Sequence, residues 1–397
     1  MLLDGMKIVS FCHFLQGPAA MQYLGDMGAE IIRIEPPKGA YERVWAGAGR
    51  IKVGGVSAFY LCANRNARSL ALDLKRPEAK EIVLRMLEKS HALAENFRPG
   101  TLDRLGLGYD VVKARKPDII YASASGFGRT GPYVDRPGQD LLIQAMSGIA
   151  SANGGGGHRP TAIGAAAVDQ HGGALFALGI AGAYAKWLRT GEGTRVEASL
   201  LGAGIDMQME SIVHYYAAAK GDKAFDRHES LATWFHEAPY GLYRIADGWI
   251  AISVNPVEKL GRALGKEEAL APYVGTDQYA DRNAIVAIVA AAVRERSFAD
   301  LAAAFDAEAM WYGKVENFDD LAANPQVQHN QVFQDFAVNG ETIRLVNHPN
   351  RYDGAAPAVP SFALETGADT REVLAEAGFA EAEIEELLKD KVVHAPR

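Results

Sequence analysis

Along the first third of the chain, short continuous runs of apolar and β-branched residues alternate with longer stretches whose apolar positions recur every three or four residues. The runs are KIVSF at 7–11, EIIRIE at 30–35, SLALDL at 69–74, HALAENF at 91–97 and DIIYASASGF at 118–127. Short β-rich runs bounded by turn residues read as strands. The periodic stretches predict helices from Pro18 to about Gly28, over 77–89 and over 109–115. Pro18 stands where a first helical turn tolerates a missing N–H, and Gly28 stands where a helix stops. The alternation is a βαβ rhythm, and it predicts a doubly wound, mainly parallel sheet of Rossmann-like character.

Farther on, an Ala/Gly/Leu-rich helix is expected over roughly 170–188, closed by TGEGT and followed by the strand RVEASL and a helix over about 201–219. Near residue 220 the texture changes to the polar KGDKAFDRHES. Two alternating aromatic runs around Ala246-Asp247-Gly248 then read as a β-hairpin. Helical patterns at 256–264, 282–295 and 298–306 complete a smaller α+β domain, and the tail ETGADTREVLAEAGFAEAEIEELLKD reads as one amphipathic helix. The expected division is a large domain of residues 1–220 and 326–397 and a small one of 221–325 with its linkers.

Composition narrows the functional classes. A 397-residue chain that is 48% hydrophobic and 23% charged is an ordinary globular protein. Its net charge of −8, without long basic runs, argues against nucleic-acid or anionic-membrane partners. Two cysteines without CxxC spacing suggest neither a disulfide framework nor a thiolate metal site. The start MLLDGMKIVSF has no secretory pattern, and no run reaches the roughly 18 apolar residues of a membrane span, so a cytoplasmic location is expected.

Histidines lack HxxxH or HExxH spacing, so no metal is expected, and there is no GxSxG elbow. GFGRTG at 126–131 matches a dinucleotide fingerprint, yet Pro132 and Pro137 deny it the helix such a loop must open, and it reads as a turn. The tetraglycine at 154–157 lacks a following Gly-Lys-Ser/Thr and reads as a flexible connection. Asp169, alone among small residues in TAIGAAAVDQHGGALF, has two compatible readings: N-cap of the helix that follows, or a nucleophile with room for a substrate to approach.

Several segments, in order, resemble the class III CoA-transferases, the family that holds formyl-CoA transferase and carnitine CoA-transferase. They are LDGMKIVSFCHFLQGPAAMQYLGDMGAEIIRIEPPKG, NRNARSLALDLK, ENFRPGTLDRLGLGYD, YASASGFGRTGPYVDRPGQDLLIQAMSG, AIGAAAVDQHGG, TGEGTRVEASLL and PYGLYRIADGWIAI. The resemblance implies that Asp169 attacks an acyl-CoA thioester and carries first the acyl group, as an anhydride, and then CoA. An aspartate ionised near its reference pKa of about 3.9 needs no base for this. For CoA recognition the resemblance implies Gln16, Gly17, Lys38, Leu72, Lys75, Asn96, Phe97, Arg98, Arg104, Gln139 and Asp140, the last either orienting the neighbouring loop or substrate or stabilising a turn. Lys38 stands where formyl-CoA transferase has an arginine. The family's 2-methylacyl-CoA racemases carry His-Asp where this chain has Gln139-Asp140, and glutamine is neither acid nor base, which favours transfer over racemisation. A non-catalytic CoA-binding subunit is the third reading. The resemblance further implies an interlocked, ring-shaped homodimer, no prosthetic group, and acyl-CoA and a small carboxylic acid as substrates. Trp234, Phe235, His236 and Glu237 are expected near the acyl end. Arg43 and Arg50 hint at a dicarboxylic acid but read as surface groups.

Overall fold

Seven strands form the central sheet in a computed structural model of the chain, which describes all residues except 46, 48, 49, 156–158, 219–224, 358–360 and 397. In chain order its first elements are β1 (Lys7–Phe11), α1 (Gln16–Asp26), β2 (Glu30–Glu35), β3 (Ala67–Leu72), β4 (Ala92–Glu95) and β5 (Ile120–Ser125). There follow α2 (Asp140–Met146), α3 (Ala167–Thr190), β6 (Arg195–Ser199), α4 (Leu200–Asp206) and β7 (Val393–His394). The strand order is β7-β3-β2-β1-β4-β5-β6; every pairing is parallel except that of β7 with β3. Strand order therefore reverses at β1, which has β2 on one side and β4 on the other. In open α/β sheets that reversal opens a crevice beyond the carboxyl ends of the strands.

Apolar residues on the two faces of these strands feed two separate cores. Val9, Phe11, Ile32, Leu70, Leu72, Leu93 and Tyr121 pack on one side, against the helix Pro77–Glu88 and the C-terminal helices. Ile8, Ile31, Ala92, Ala94, Ile120 and Ala122 pack on the other, against α1 and α3 through Leu24, Phe176 and Ile180. The chain forms two units, one of residues 1–143, 165–207 and 326–397, the other of 144–164 and 208–325. In the second, the hairpin Gly241–Ile245 and Gly248–Ile252 continues into Tyr312–Lys314 and packs on the helices Val257–Leu264, Arg282–Val293 and Phe298–Ala307.

Three expectations change. The tail is two helices, Thr370–Glu376 and Glu381–Lys389, because Gly378 between them takes φ +90°. The single helix expected over 201–219 is likewise two, Leu200–Asp206 and Met209–Ala217. Arg43 is no surface group: it is part-buried and donates from Nε and Nη2 to the two carboxylate oxygens of Glu35, 2.7 Å each. Arg50 is exposed.

Candidate active site

The loop that leaves β1 is fixed from across the reversal point. Asn96, just past β4, accepts the His13 N–H at Oδ1 and donates from Nδ2 to the His13 carbonyl, both at 2.8 Å. Both hydrogen-bonding ends of the Asn96 amide are thus spent on the loop. Phe97 brings its ring within 5.1 Å of the His13 imidazole and 6.4 Å of Phe11. Burial lowers the His13 pKa, which keeps that ring neutral.

α1 begins at the end of this loop, and its first residues are buried. Gln16 is 4% exposed and its Nε2 has no hydrogen-bond partner among the described residues. Gly17 must be glycine, since a Cβ there would lie 2.6 Å from Cys12 Cβ and 3.0 Å from Asn96 Cγ. α3 comes equally close: a Cβ on Gly172 would stand 2.9 Å from Gln16 Nε2, and one on Gly173 2.9 Å from the Gln16 carbonyl. The Gly172-Gly173 pair thus lets two helix starts touch, and it brings Asp169, one turn earlier on α3, to the β1–α1 end of the sheet.

Asp169 is not the N-cap that its position suggests. Ala166 caps α3 and offers no side chain, while Asp169 is the third helical residue. The capping carboxylate comes from Asp140 at the head of α2: its Oδ2 accepts the N–H of Val168 at 2.9 Å and of Asp169 at 3.0 Å. These are two of the donors that a helix start leaves unsatisfied. The Asp169 carboxylate itself receives no hydrogen bond from the described residues. Burial first, and the Asp140 charge second, push its pKa up to about 7. The expectation of an ordinary, fully ionised carboxylate is therefore overturned.

The remaining sequence candidates sort by exposure. Lys38 after β2, Lys75 after β3, and Arg98 and Arg104 after β4 are exposed cations beyond the carboxyl ends of their strands, where they can meet phosphate. Leu72 is 1% exposed and its side chain belongs to the core, so only its backbone can face a ligand. Gln139 is exposed and its carbonyl accepts the Ile143 N–H, 3.0 Å. Trp234, Phe235 and His236 lie in the second unit, where Phe235 stacks on His214 and His236 on Tyr240 at centroid distances of 4.8 and 4.2 Å. Of the tetraglycine, Gly154 ends the helix Ile149–Gly154, whereas 156 and 157 lie outside the described residues.

Two residues that sequence reasoning passed over hold the crevice together. Glu95, at the end of β4, is 3% exposed; its Oε2 accepts the Phe97 N–H and its Oε1 accepts Arg129 Nη1, each at 2.9 Å. Arg129 also donates to Ser123 Oγ at 3.1 Å. Arg129 comes from GFGRTG, which is a turn without a helix, so the decoy motif supplies the clamp rather than a phosphate loop. A cation set in a glycine turn directly after a central strand was the available signal. Among the described residues no group of His, Cys, Asp and Glu could hold a metal ion, and no helix is long and apolar enough to cross a membrane.

Known proteins supply the class to which this sheet and site belong. The sequence model of CoA-transferase family III matches residues 3–370, and the chain belongs to that family. It is similar to the succinate–glutarate CoA-transferase of Agrobacterium fabrum, 28% identical over 89% of this chain and 92% of that protein. It is also similar to the succinyl-CoA–D-citramalate CoA-transferase of Chloroflexus aurantiacus, 34% identical over 70% of this chain and 68% of that one. A CAIB/BAIF family protein from Brucella suis has the same fold, with TM-score 0.81 and 29% identity over 94% of this chain and 99% of its own. The chain is accordingly a class III CoA-transferase, acting between acyl-CoA thioesters and carboxylic acids.

Proposed function

We propose that this enzyme moves CoA from an acyl-CoA donor to a small dicarboxylic acid through covalent intermediates on Asp169. The observation that carries the reading is the Asp169 carboxylate itself: at the start of α3, without a donor among the described residues, and surrounded by glycine and alanine. In the first step an Asp169 oxygen forms a bond to the thioester carbonyl carbon and the C–S bond breaks, leaving an aspartyl anhydride and the CoA thiolate. The thiolate then attacks the Asp169 carbonyl carbon, the anhydride C–O bond breaks, and the donor acid leaves from aspartyl-CoA. The acceptor carboxylate attacks that thioester to give a second anhydride, and the thiolate takes the acceptor acyl group from it, restoring the carboxylate. No net proton and no prosthetic group is required. Exchanging one thioester for another is close to thermoneutral, so positioning and exclusion of water do the catalytic work.

The large unit supplies the CoA site in this reading. The cations Lys38, Lys75, Arg98 and Arg104 meet the phosphates, Phe97 gives adenine an apolar face, and Gln16 with Gly17 lines the thioester end. Dicarboxylic acids are preferred as acceptors because the relatives' names join succinate with glutarate or citramalate. Two chains interlock as rings in the cytoplasm in this reading. Racemisation is disfavoured because Gln139 supplies neither acid nor base, and a purely CoA-binding role gives Asp169 nothing to do. The test is chromatography of CoA esters after the purified protein is incubated with succinyl-CoA and a panel of mono- and dicarboxylic acids. The reading expects glutaryl-type dicarboxylyl-CoA products, lost in Asp169→Asn. Failure to form any new CoA ester from the panel contradicts it.

A further inference from the structure

The capping of α3 inverts the usual advantage of a helix start. A carboxylate in a first helical turn ordinarily gains from the free N–H groups and the positive end of the helix dipole. Here the N–H groups of Val168 and Asp169 are both taken by Asp140 Oδ2, at 2.9 and 3.0 Å. Asp140 is 8% exposed and stands on a different helix, α2, so its charge is fixed beside the start of α3 by the fold rather than by local chain geometry.

We propose that Asp140 is a positioning residue for the nucleophile: by occupying the first-turn amides of α3 and setting a second negative charge there, it withholds from Asp169 the anion stabilisation that a helix start provides. This rests on Asp169 being the nucleophile. The other charged groups brought to α3 by the elements packed on it are already engaged. His171 of α3 shares a 2.8 Å contact with Asp206 of α4, Arg195 and Glu197 of β6 pair at 2.8 Å, and α1 presents the uncharged Gln16 and an Asp26 paired with Arg65 at 2.6 Å. Among the described residues Asp140 is the one neighbour whose charge reaches Asp169, and it acts in the same direction as burial.

The chemical consequence concerns how the first tetrahedral adduct breaks down. That adduct bears the Asp169 oxygen and the CoA sulfur on one carbon and expels whichever leaves as the more stable anion. A thiol has a reference pKa of about 8.5 and an ordinary aspartate about 3.9, so an ordinary aspartate is expelled and the adduct returns to substrates. With Asp169 lifted to about 7 the gap narrows, and the C–S bond breaks often enough for the anhydride to form. Burial first, with Asp140 adding to it, thus makes the nucleophile more basic, at the cost of leaving it partly protonated at neutral pH in the free enzyme.

The experiment reads the protonation of Asp169 directly and separately from turnover. The full-length protein is treated with a carbodiimide and glycine ethyl ester from pH 5 to 9, and labelling of Asp169 is mapped by peptide mass spectrometry against exposed carboxylates of the same chain. Wild type is compared with Asp140→Asn and Asp140→Ser, two neutral side chains that still accept the α3 amides, and with Asp140→Glu, which restores the charge. Folding is checked by circular dichroism. The expected result is a labelling midpoint lower by about one pH unit or more in the neutral variants, with the glutamate variant close to wild type. The acid limb of kcat/KM moves in parallel while KM for acyl-CoA stays unchanged. An identical midpoint in all four proteins overturns the proposal, as does failure of both neutral variants to fold, which would make Asp140 a structural anchor alone. Absence of CoA transfer by wild type refutes the functional reading, while the labelling profile still decides the role of Asp140.

Discussion

Asp169 is held in an environment that stabilises its neutral form, and two predictions follow at the scale of this one side chain. The first concerns activity. In the proposed mechanism the attacking form is the carboxylate, whose pKa burial and Asp140 push up to about 7, so kcat/KM should rise roughly tenfold per pH unit below 7 and level off above it. A pH profile flat from 5 to 8 contradicts this. The second concerns stability. The folded-state pKa lies above the unfolded value of 3.8, so between pH 4 and 7 the unfolded chain gives up its proton first, and stability falls as pH rises through that window. Above pH 7 the penalty is fully present. Asp169→Asn removes it, and the variant should be inactive yet more stable than wild type at pH 8 by about 1 kcal/mol, as seen when functional strain is relieved. Equal melting temperatures at pH 8 would count against it. The sequence showed a lone carboxylate among small residues, which marked the position. Its pKa and the borrowed cap lay out of reach, because both depend on Asp140, twenty-nine residues earlier in the chain.

At the scale of elements, the site depends on how closely α1 and α3 approach. Gly173→Ala places a Cβ 2.9 Å from the Gln16 carbonyl and 3.0 Å from Ala19 Cβ, so the helices must part. The variant should lose about 1–3 kcal/mol of stability and most of its transferase rate, with CoA affinity less affected; denaturant melts and steady-state kinetics check both. Arg43→Ala strands Glu35, which is 2% exposed, and should cost about 3–5 kcal/mol. Wild-type stability in that variant would show the pair to be dispensable. Strands β1 to β5 were legible because their β-rich runs alternate with helical periodicity, and Pro18 and Gly28 marked the first helix. The hairpin Phe333–Val338 and Glu341–Val346 carried a readable sign that went unused, Asn339-Gly340 at φ +47° and +88°. The tail was less tractable: its helical pattern runs on through Ala377-Gly378-Phe379, and the break becomes clear only where the chain turns to bring β7 onto β3.

At the scale of the whole molecule, large apolar side chains stand in the open. Leu178 and Leu188 on α3 are 68% and 63% exposed, and Met209 is 64% exposed. The proposed interlocked pair would cover side chains of this kind. Light scattering should give twice the chain mass of 42.7 kDa, unchanged on dilution to nanomolar concentration because linked rings cannot part without unfolding. A monomer at micromolar concentration contradicts that arrangement. The large sheet and the family's chemistry were legible together, since the strand runs and the ordered motifs lie in the same segments. The acid that accepts CoA was not, because no single charged residue in the sequence announces it. The most direct test of the account is mass spectrometry of the protein incubated with acyl-CoA in the absence of acceptor acid and then quenched. The account predicts a CoA thioester on the peptide that carries Asp169, absent in Asp169→Asn. Full turnover with no such adduct, or an adduct on any other residue, would contradict it.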